Sequence, residues 1–222
     1  MLGDYFYHST IKKSVAIFGT LFNNITVRRV GNSNEVAQNT KVPLAYGPRA
    51  KFLERIRSQK DFDDPKVAIK LPRMSFELSS ISVDTASKLN PLNKIVQRDS
   101  AEPTSVTTFR QSVPYVLGFT LSVYGKNQDD VLQIVEQIIP YFSPEYTVTV
   151  KDMEYVGSRT DVPVILAGVN PSDDYEGSLE TNRVIVYTLD FSMKVRFGGP
   201  VKPSGIILEV DVNYYDKLPF EE

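Results

Sequence analysis

The clearest pattern in this chain is an alternation of apolar and polar residues along its C-terminal half. Apolar side chains occupy every second position over Tyr115–Val123 and again over Ile185–Phe197. A period of two predicts strands that bury one face and leave the other polar. The same reasoning predicts further extended segments at residues 25–30, 40–46, 66–84, 145–151, 161–169 and 206–214. Strands with one apolar face favour an antiparallel sheet.

Three other stretches show the spacing of amphipathic helices. Over residues 11–22, apolar side chains recur at steps of four, three and four, and Ser9 or Thr10 is expected to cap the helix. A second helix is predicted at about residues 48–59, because proline is favoured at the first helical position. A third follows the N-cap Asn127 and ends at two prolines. We therefore predict an α+β fold, a mostly antiparallel β-sheet with two or three helices packed on it.

The length of the chain bears on its domain organisation. A chain of 222 residues can bury about 70% of its surface on folding, which is enough for one sizeable core. We predict a single domain over residues 1–222, with two segments that show no helical period. These are a long loop at about residues 85–103 and an extended C-terminal arm at about residues 213–222. Such segments often bind partners.

Two groups of residues are candidates for binding partner proteins. The arm carries aromatic side chains among charged ones, and the second predicted helix carries a cluster of cations. Such a helix is either a solvated surface or an interface for a partner of opposite charge, and the spacing leaves both interpretations open. The candidates are Arg49, Lys51, Arg55 and Arg57 on the helix and Tyr214, Tyr215 and Phe220 in the arm.

Composition excludes several kinds of chemistry. The chain contains no cysteine and one histidine, His8, so a disulfide, a thiolate nucleophile and a cysteine zinc site are excluded. Its 25 basic and 27 acidic residues leave a net charge of −2, unlike proteins that bind DNA mainly by charge. No cofactor and no metal are expected. The uncharged run at residues 14–27 is too short to span a bilayer, so no membrane association is expected.

Two features leave an enzyme open as the alternative from a different functional class. Acidic residues cluster at residues 61–64 and 173–176, and carboxylates can bind hard cations or act as an acid–base pair. Neither cluster has the spacing of a calcium loop, which favours solvated acids in turns. Ser9 beside His8 is better explained as a helix cap than as a nucleophile with its base. The alternative is a carboxylate-dependent hydrolase.

Five short stretches, in order along the chain, point to a family. Together they resemble the tail sheath stabiliser and completion proteins of T-even-like contractile-tailed bacteriophages, which are tail terminators. The resemblance is concentrated before about Val150. The stretches are GDYFYH at residues 3–8, LFNNI at 21–25, KVPLAYG at 41–47, LPRM at 71–74 and DDVLQIVEQIIPYF at 129–142.

The resemblance implies a structural virion protein with a tail-terminator-like fold and no catalytic activity. It implies a homo-hexameric ring at the head-proximal end of the tail, in the neck region, assembled in the host cytoplasm. The implied partners are the tail tube protein, the tail sheath protein and neck or head-completion proteins. Genomic DNA would pass through the lumen without specific binding. Another neck or baseplate component of the tail is the alternative within the same class.

Overall fold

The structure, a computed structural model, describes residues 5–30, 36–58, 71–87, 89–90, 92–98, 105–151, 159–174, 184–205 and 210–212. The described helices are α1 (Thr10–Leu21), α2 (Arg49–Ser58) and α3 (Gln128–Ile138), and a 3₁₀ turn at Ile139–Tyr141 extends α3. The described strands are β1 (Thr26–Val30), β2 (Val36–Lys41), β3 (Leu44–Tyr46), β4 (Arg73–Val83), β5 (Lys94–Arg98), β6 (Ser105–Arg110), β7 (Val113–Gly125), β8 (Glu145–Lys151), β9 (Arg159–Asp174), β10 (Val184–Phe197) and β11 (Lys202–Gly205).

These strands form three sheets. The largest has six strands in the order β3-β4-β7-β10-β9-β8, a second pairs β1 with β2, and a third has the order β11-β6-β5. Strand β3 pairs with β4 in parallel, whereas β4–β7, β9–β10 and β8–β9 are antiparallel pairs. The predicted α+β fold with a mostly antiparallel sheet is confirmed, and the six-stranded sheet is mixed because of β3.

The chain divides into two compact units. The larger unit comprises residues 8–88 and 114–197, and it contains the six-stranded sheet, the β1–β2 hairpin and all three helices. The smaller unit comprises residues 1–7, 89–113 and 198–222, and it contains the three-stranded sheet. Most of the segment predicted as a loop therefore belongs to the same unit as both chain ends.

The main core of the larger unit is aromatic. Phe18 of α1 is fully buried, and its ring stacks on Phe119 of β7 with centroids 4.4 Å apart. Phe76 and Phe191 contact the same ring from β4 and β10, at 5.4 and 5.3 Å. Offset and edge-on ring pairs add to the free energy gained from burying their area. The alternating strands predicted from sequence thus supply one continuous apolar face, on which α1 packs.

A smaller cluster lies on the opposite face of the six-stranded sheet. Phe52 of α2 packs with Tyr124, Val184 and Val186, all buried. Tyr124 and Val186 alternate with the core-facing residues of β7 and β10, so they project from the other face. Helix α2 therefore covers part of the face that the sequence predicts to be polar.

Helix α1 confirms the first predicted helix but not its cap. Ser9 occupies the N-cap position with a left-handed backbone (φ 55°), and its side chain makes no capping hydrogen bond. Ile11, predicted on the apolar face, is 41% exposed. Phe18 and Phe22, predicted on the same face, are buried, together with Ser14, since a spacing of four keeps these three residues on one side of the helix.

The strand predicted at residues 40–46 is two strands in different sheets. The backbone N–H of the buried Val42 donates to the Ile25 carbonyl at 2.9 Å. The Met74 N–H donates to the Pro43 carbonyl, also at 2.9 Å. Because proline has no backbone N–H, Pro43 cannot donate a further hydrogen bond to the segment that Val42 bonds to. The chain therefore leaves the β1–β2 hairpin and enters the six-stranded sheet at this dipeptide.

The loop predicted at residues 85–103 contains strand β5. Its five residues pair antiparallel with β6, in a register that places Ile95 opposite Phe109. A strand this short shows too few alternations for its period to be recognised from sequence. The prediction of a loop is therefore wrong for Lys94–Arg98.

The C-terminal strand differs from the one predicted at residues 206–214. Strand β11 lies earlier and pairs with β6, and residues 210–212 are not in a strand. Residues 206–209 and 213–222, including the predicted arm, lie outside the described residues. Among the helices that the structure describes, none is both long enough and apolar enough to cross a membrane.

Candidate functional site

Arg49, the first candidate on α2, lies against the sheet. Its guanidinium donates from Nη2 to Ser172 Oγ at 2.9 Å and from Nη1 to Thr188 Oγ1 at 3.3 Å. Its backbone N–H donates to Glu77 Oε1 at 3.5 Å. The negative carboxylate interacts favourably with the positive end of the helix dipole. Arg49 therefore holds the start of α2 on β9 and β10.

Lys51 and Arg55, the next two candidates, have exposed side chains. Phe52, between them in sequence, is buried between the helix and the sheet. The guanidinium of Arg73 lies 5.3 Å from the centroid of the Phe52 ring, a cation–π contact that further holds the helix in place. The packing of α2 thus presents Lys51 and Arg55 to solvent.

The remaining candidates lie outside what the structure describes. The side chain of Arg57 and the residues Tyr214, Tyr215 and Phe220 are not among the described groups. The same holds for the acidic cluster at residues 61–64 and for the side chains at residues 173–176.

A polar network occupies the middle of the sheet face next to α2. Thr120 Oγ1 donates to Asp190 Oδ1 at 3.0 Å, and Asn170 Nδ2 donates to Asp190 Oδ2 at 3.2 Å. Both oxygens of this half-buried carboxylate thus accept hydrogen bonds from neighbouring strands. These hydrogen bonds stabilise the negative charge of Asp190 and link β7, β9 and β10.

Asp84 forms a second polar cluster at the end of β4. Ser87 Oγ donates to its Oδ2 at 2.8 Å, the Ala86 N–H donates to Oδ1 at 3.1 Å, and Lys194 Nζ lies 3.6 Å from Oδ2. The hydrogen bond from Ser87 and the charge of Lys194 hold the pKa of Asp84 below its ordinary value. This geometry stabilises an ionised carboxylate.

Tyr124 is a buried hydroxyl group under α2. Its Oη lies 2.8 Å from Ser75 Oγ, and burial raises the pKa of the phenol above its ordinary value. The pair satisfies two buried hydroxyls across β4 and β7. No group of three or more acidic, histidine or cysteine side chains within the described part of the chain is placed to hold a metal ion.

An apolar groove, which sequence reasoning did not find, lies where the ends of α1 and α3 meet β8. Its volume is about 140 Å³. Tyr141 and Tyr146 are exposed at its rim, whereas Phe22 and Ile138 are buried. The sequence signal was Tyr-Phe directly after Pro140, at the end of an apolar helix stripe. The groove is lined by Leu21, Phe22, Ile25, Gln137, Ile138, Tyr141, Phe142 and Tyr146.

The outer strand β8 forms one end of the six-stranded sheet. Tyr146 contacts Phe142 and Val150 packs on the main core, so the alternate residues project from the face that α2 covers. On that face Thr149 Oγ1 donates to Asp161 Oδ1 at 2.7 Å, and Glu145 is exposed. The outer strand β8 carries one acid, Glu145, and one base, Lys151, and exposes the hydroxyl-bearing side chains of Thr147 and Thr149.

Comparison with known proteins identifies the family. The family model of the T4-like virus Myoviridae tail sheath stabiliser matches residues 5–221. The "Tail completion protein gp15" of Enterobacteria phage T4 is 29% identical over 197 residues, which cover 85% of this chain and 70% of that protein. The family match continues beyond Val150, where the sequence motifs become sparse. The chain therefore belongs to the tail sheath stabiliser family of T4-like Myoviridae, whose members are structural proteins of the phage tail and not enzymes.

Proposed function

We propose that six copies of this chain form a ring at the head-proximal end of a contractile tail. The ring terminates the tail tube, anchors the last ring of the sheath and docks to the neck. The observation that carries the proposal is the match to the tail sheath stabiliser family over residues 5–221, together with a relative named for tail completion.

The geometry of the larger unit supports a role in assembly. A cyclic ring uses heterologous contacts, so each subunit needs at least two unlike surfaces. The chain offers the exposed cations of α2, the outer strand β8 of the described sheet and the apolar groove beside it. We assign these surfaces to neighbouring subunits and to the tail tube protein, the tail sheath protein and neck or head-completion proteins.

The candidate residues take separate roles in this proposal. Lys51, Arg55 and Arg57 of α2 bind a partner, while Arg49 positions the helix. Tyr214, Tyr215 and Phe220 of the C-terminal segment bind a second partner. The net charge of −2 lets genomic DNA pass through the lumen without being retained by the ring.

The proposal is tested by locating the chain in assembled particles. A gold-labelled chain should appear at the head-proximal end of the tail, and averaged images of that position should show six-fold symmetry. Tails assembled without the chain should lose their sheath or extend beyond the normal length. A label at the baseplate end, or one copy per tail, would contradict the proposal.

A further inference from the structure

The three-stranded sheet of the smaller unit has two unlike faces. Strand β5 pairs with β6 in a register that places Lys94 opposite Arg110 and Ile95 opposite Phe109. Residues directly opposite each other share a face, and successive residues of a strand alternate between faces. The two cations therefore project from one face, and the Ile95–Phe109 pair projects from the other. We call these the basic face and the apolar face.

The charge of the basic face is not balanced by acids in the same strands. Lys94 and Arg110 are both exposed, and like charges directly opposite each other repel. The acids Asp99 and Glu102 belong to the connection between β5 and β6 and not to the strands. In the register, Arg98 and Lys202 fall at the same alternate positions as Lys94. The strand sequences KIVQR, SVTTFR and KPSG contain no acidic residue and four basic ones, Lys94, Arg98, Arg110 and Lys202.

Strand β5 is the outer strand of this sheet. Within the described residues it pairs with β6 alone. Ile95 and the next residue, Val96, are 40% and 63% exposed, so apolar side chains are accessible on both faces of the strand. An exposed outer strand of this kind is a template for the addition of another strand. The occupant that fits it combines apolar residues with carboxylates.

The C-terminal part of the chain contains a segment with this composition. Over residues 206–214 apolar residues occupy every second position, and the positions between them include Glu209 and Asp211. This pattern predicts a strand with one apolar face. The described part of the segment, residues 210–212, is not in a strand, and Val210 and Val212 are exposed. From residue 206 onwards the printed sequence has five acidic residues and one basic residue.

We infer that segment 206–214 of one copy adds to strand β5 of an adjacent copy as a fourth strand. Its acidic positions then lie on the basic face, and its apolar positions lie beside Ile95 on the apolar face. A slip of one residue would exchange the two sets, so the charges fix the register. The inference rests on the proposed ring, because a segment of one copy bound by the next is a contact between unlike surfaces that repeats around a closed ring.

The path of the chain favours an adjacent copy over the same copy. Strand β11 ends at Gly205 and pairs with β6 on the side away from β5. A segment that begins at residue 206 would have to pass around β6 and β5 to reach the outer edge of its own sheet. An adjacent copy is free of this restriction, and every copy offers the same segment and the same edge.

A charge exchange tests the pairing. The variants E209K/D211K and K94E/R110E should each weaken association between copies at least about tenfold, because each places like charges together. Combining all four substitutions should restore association to about the wild-type value. Association is measured by sedimentation and light scattering, and circular dichroism checks the fold. The control E136K reverses an exposed charge on α3 and should leave association unchanged.

Cross-linking between differently substituted copies shows which copy supplies the strand. The chain contains no cysteine, so I95C and V212C each place one unique thiol. The two variants, one with a size tag, are mixed before tail assembly, which also covers a ring that forms only on the tube. A bismaleimide should link I95C copies to V212C copies, whereas I95C mixed with E136C should give no link. A link that forms only within the doubly substituted chain I95C/V212C would contradict the inference.

The remaining outcomes separate this inference from the proposed function. If a six-fold ring is imaged but mixed copies give no link and the charge exchange restores nothing, the inference is wrong and the proposed function stands. If K94E/R110E loses binding to duplex DNA while association between copies is unchanged, the basic face serves DNA and the inference is wrong. If imaging shows no ring at the tail end, both fail.

Discussion

Phe18 is the side chain on which the core of the larger unit most depends. It is fully buried and contacts the rings of Phe22, Phe76, Phe119 and Phe191, which come from the C-cap of α1 and three different strands. Ring pairs at these distances are favourable beyond the area they bury. A single side chain thus connects the helix with the middle of the sheet.

Replacing Phe18 with alanine should lower the free energy of unfolding by about 3–5 kcal/mol, the usual cost of a large cavity in a core. Urea denaturation followed by circular dichroism measures the change. The control is Ile11→Ala on the same helix, which should cost much less because Ile11 is 41% exposed. Equal losses for the two variants would contradict this description of the core.

Asp84 makes the stability of the larger unit depend on pH. Because the pKa of Asp84 is lowered in the folded state, the folded chain binds the proton more weakly than the unfolded chain does. The stabilisation is present above the unfolded value of about 4 and is lost as the pH falls through the lowered folded value.

The variant D84N should therefore show a smaller loss of stability than the wild type when the pH is lowered from about 5 to 3, a range that spans the usual aspartate pKa. Denaturation midpoints across this range measure the effect. At neutral pH the variant should be less stable than the wild type. It loses the negative charge that strengthens the hydrogen bond from Ser87 and pairs with Lys194. Parallel pH profiles for the two proteins would show that Asp84 does not titrate in this way.

At the scale of elements, the β1–β2 hairpin is attached to α3 by polar contacts. Arg29 of β1 donates to both carboxylate oxygens of the buried Asp130, at 2.5 and 3.3 Å. This hydrogen bond, with the charge of the carboxylate, raises the pKa of Arg29. Gln137 Nε2 donates to the Thr26 carbonyl at 2.8 Å. Asn127 is the N-cap residue of α3, as predicted, although its side chain makes no capping hydrogen bond.

The variant D130A should release the hairpin from α3. We expect a loss of about 1 kcal/mol, less than for a fully buried charged pair because Arg29 is half-exposed. Hydrogen exchange should show faster exchange of amides at residues 26–30 and 36–41. The matched control D129A removes an exposed acid from the same first turn, so both variants lose a similar helix-dipole contribution. Unchanged hairpin exchange in D130A would mean that the ion pair does not hold it.

At the scale of the whole molecule, the two units differ in how their sheets are built. The larger unit has central strands β7 and β10 of 13 and 14 residues, covered by helices. The smaller unit has three short strands, and Ile95 and Val96 of its outer strand β5 are exposed. Amides in short outer strands open at lower free energy than those in a covered core.

Native-state hydrogen exchange should therefore protect the middle of β7 and β10 much longer than β5. Peptide-resolved mass spectrometry provides the measurement. Binding of a tail partner to the smaller unit would slow exchange in β5 selectively. Equal protection of all three strands in the isolated chain would indicate that the two units open together.

The sequence by itself determined the strands and helices whose hydrophobic pattern repeats over many residues. It also indicated the functional class, a structural protein of the phage tail. The alternating runs became β7 and β10, the apolar stripes became α1 and α3, and five ordered motifs pointed to the family that the comparisons show. These signals are local, because a period of two or 3.6 depends only on which face of one element is buried. Absence of cysteine likewise follows from the sequence alone.

Only the tertiary structure decided which strands are neighbours and which side chains are free for partners. Thr120 and Asp190 meet across 70 residues of chain, and Arg49 binds hydroxyls on β9 and β10 while Lys51, two residues away, is exposed. Strand order, the sheet change at Pro43 and the place of β8 at one end of the described sheet depend on contacts between distant segments. Sequence spacing carries no information on such contacts, because packing chooses among many compatible pairings of similar strands.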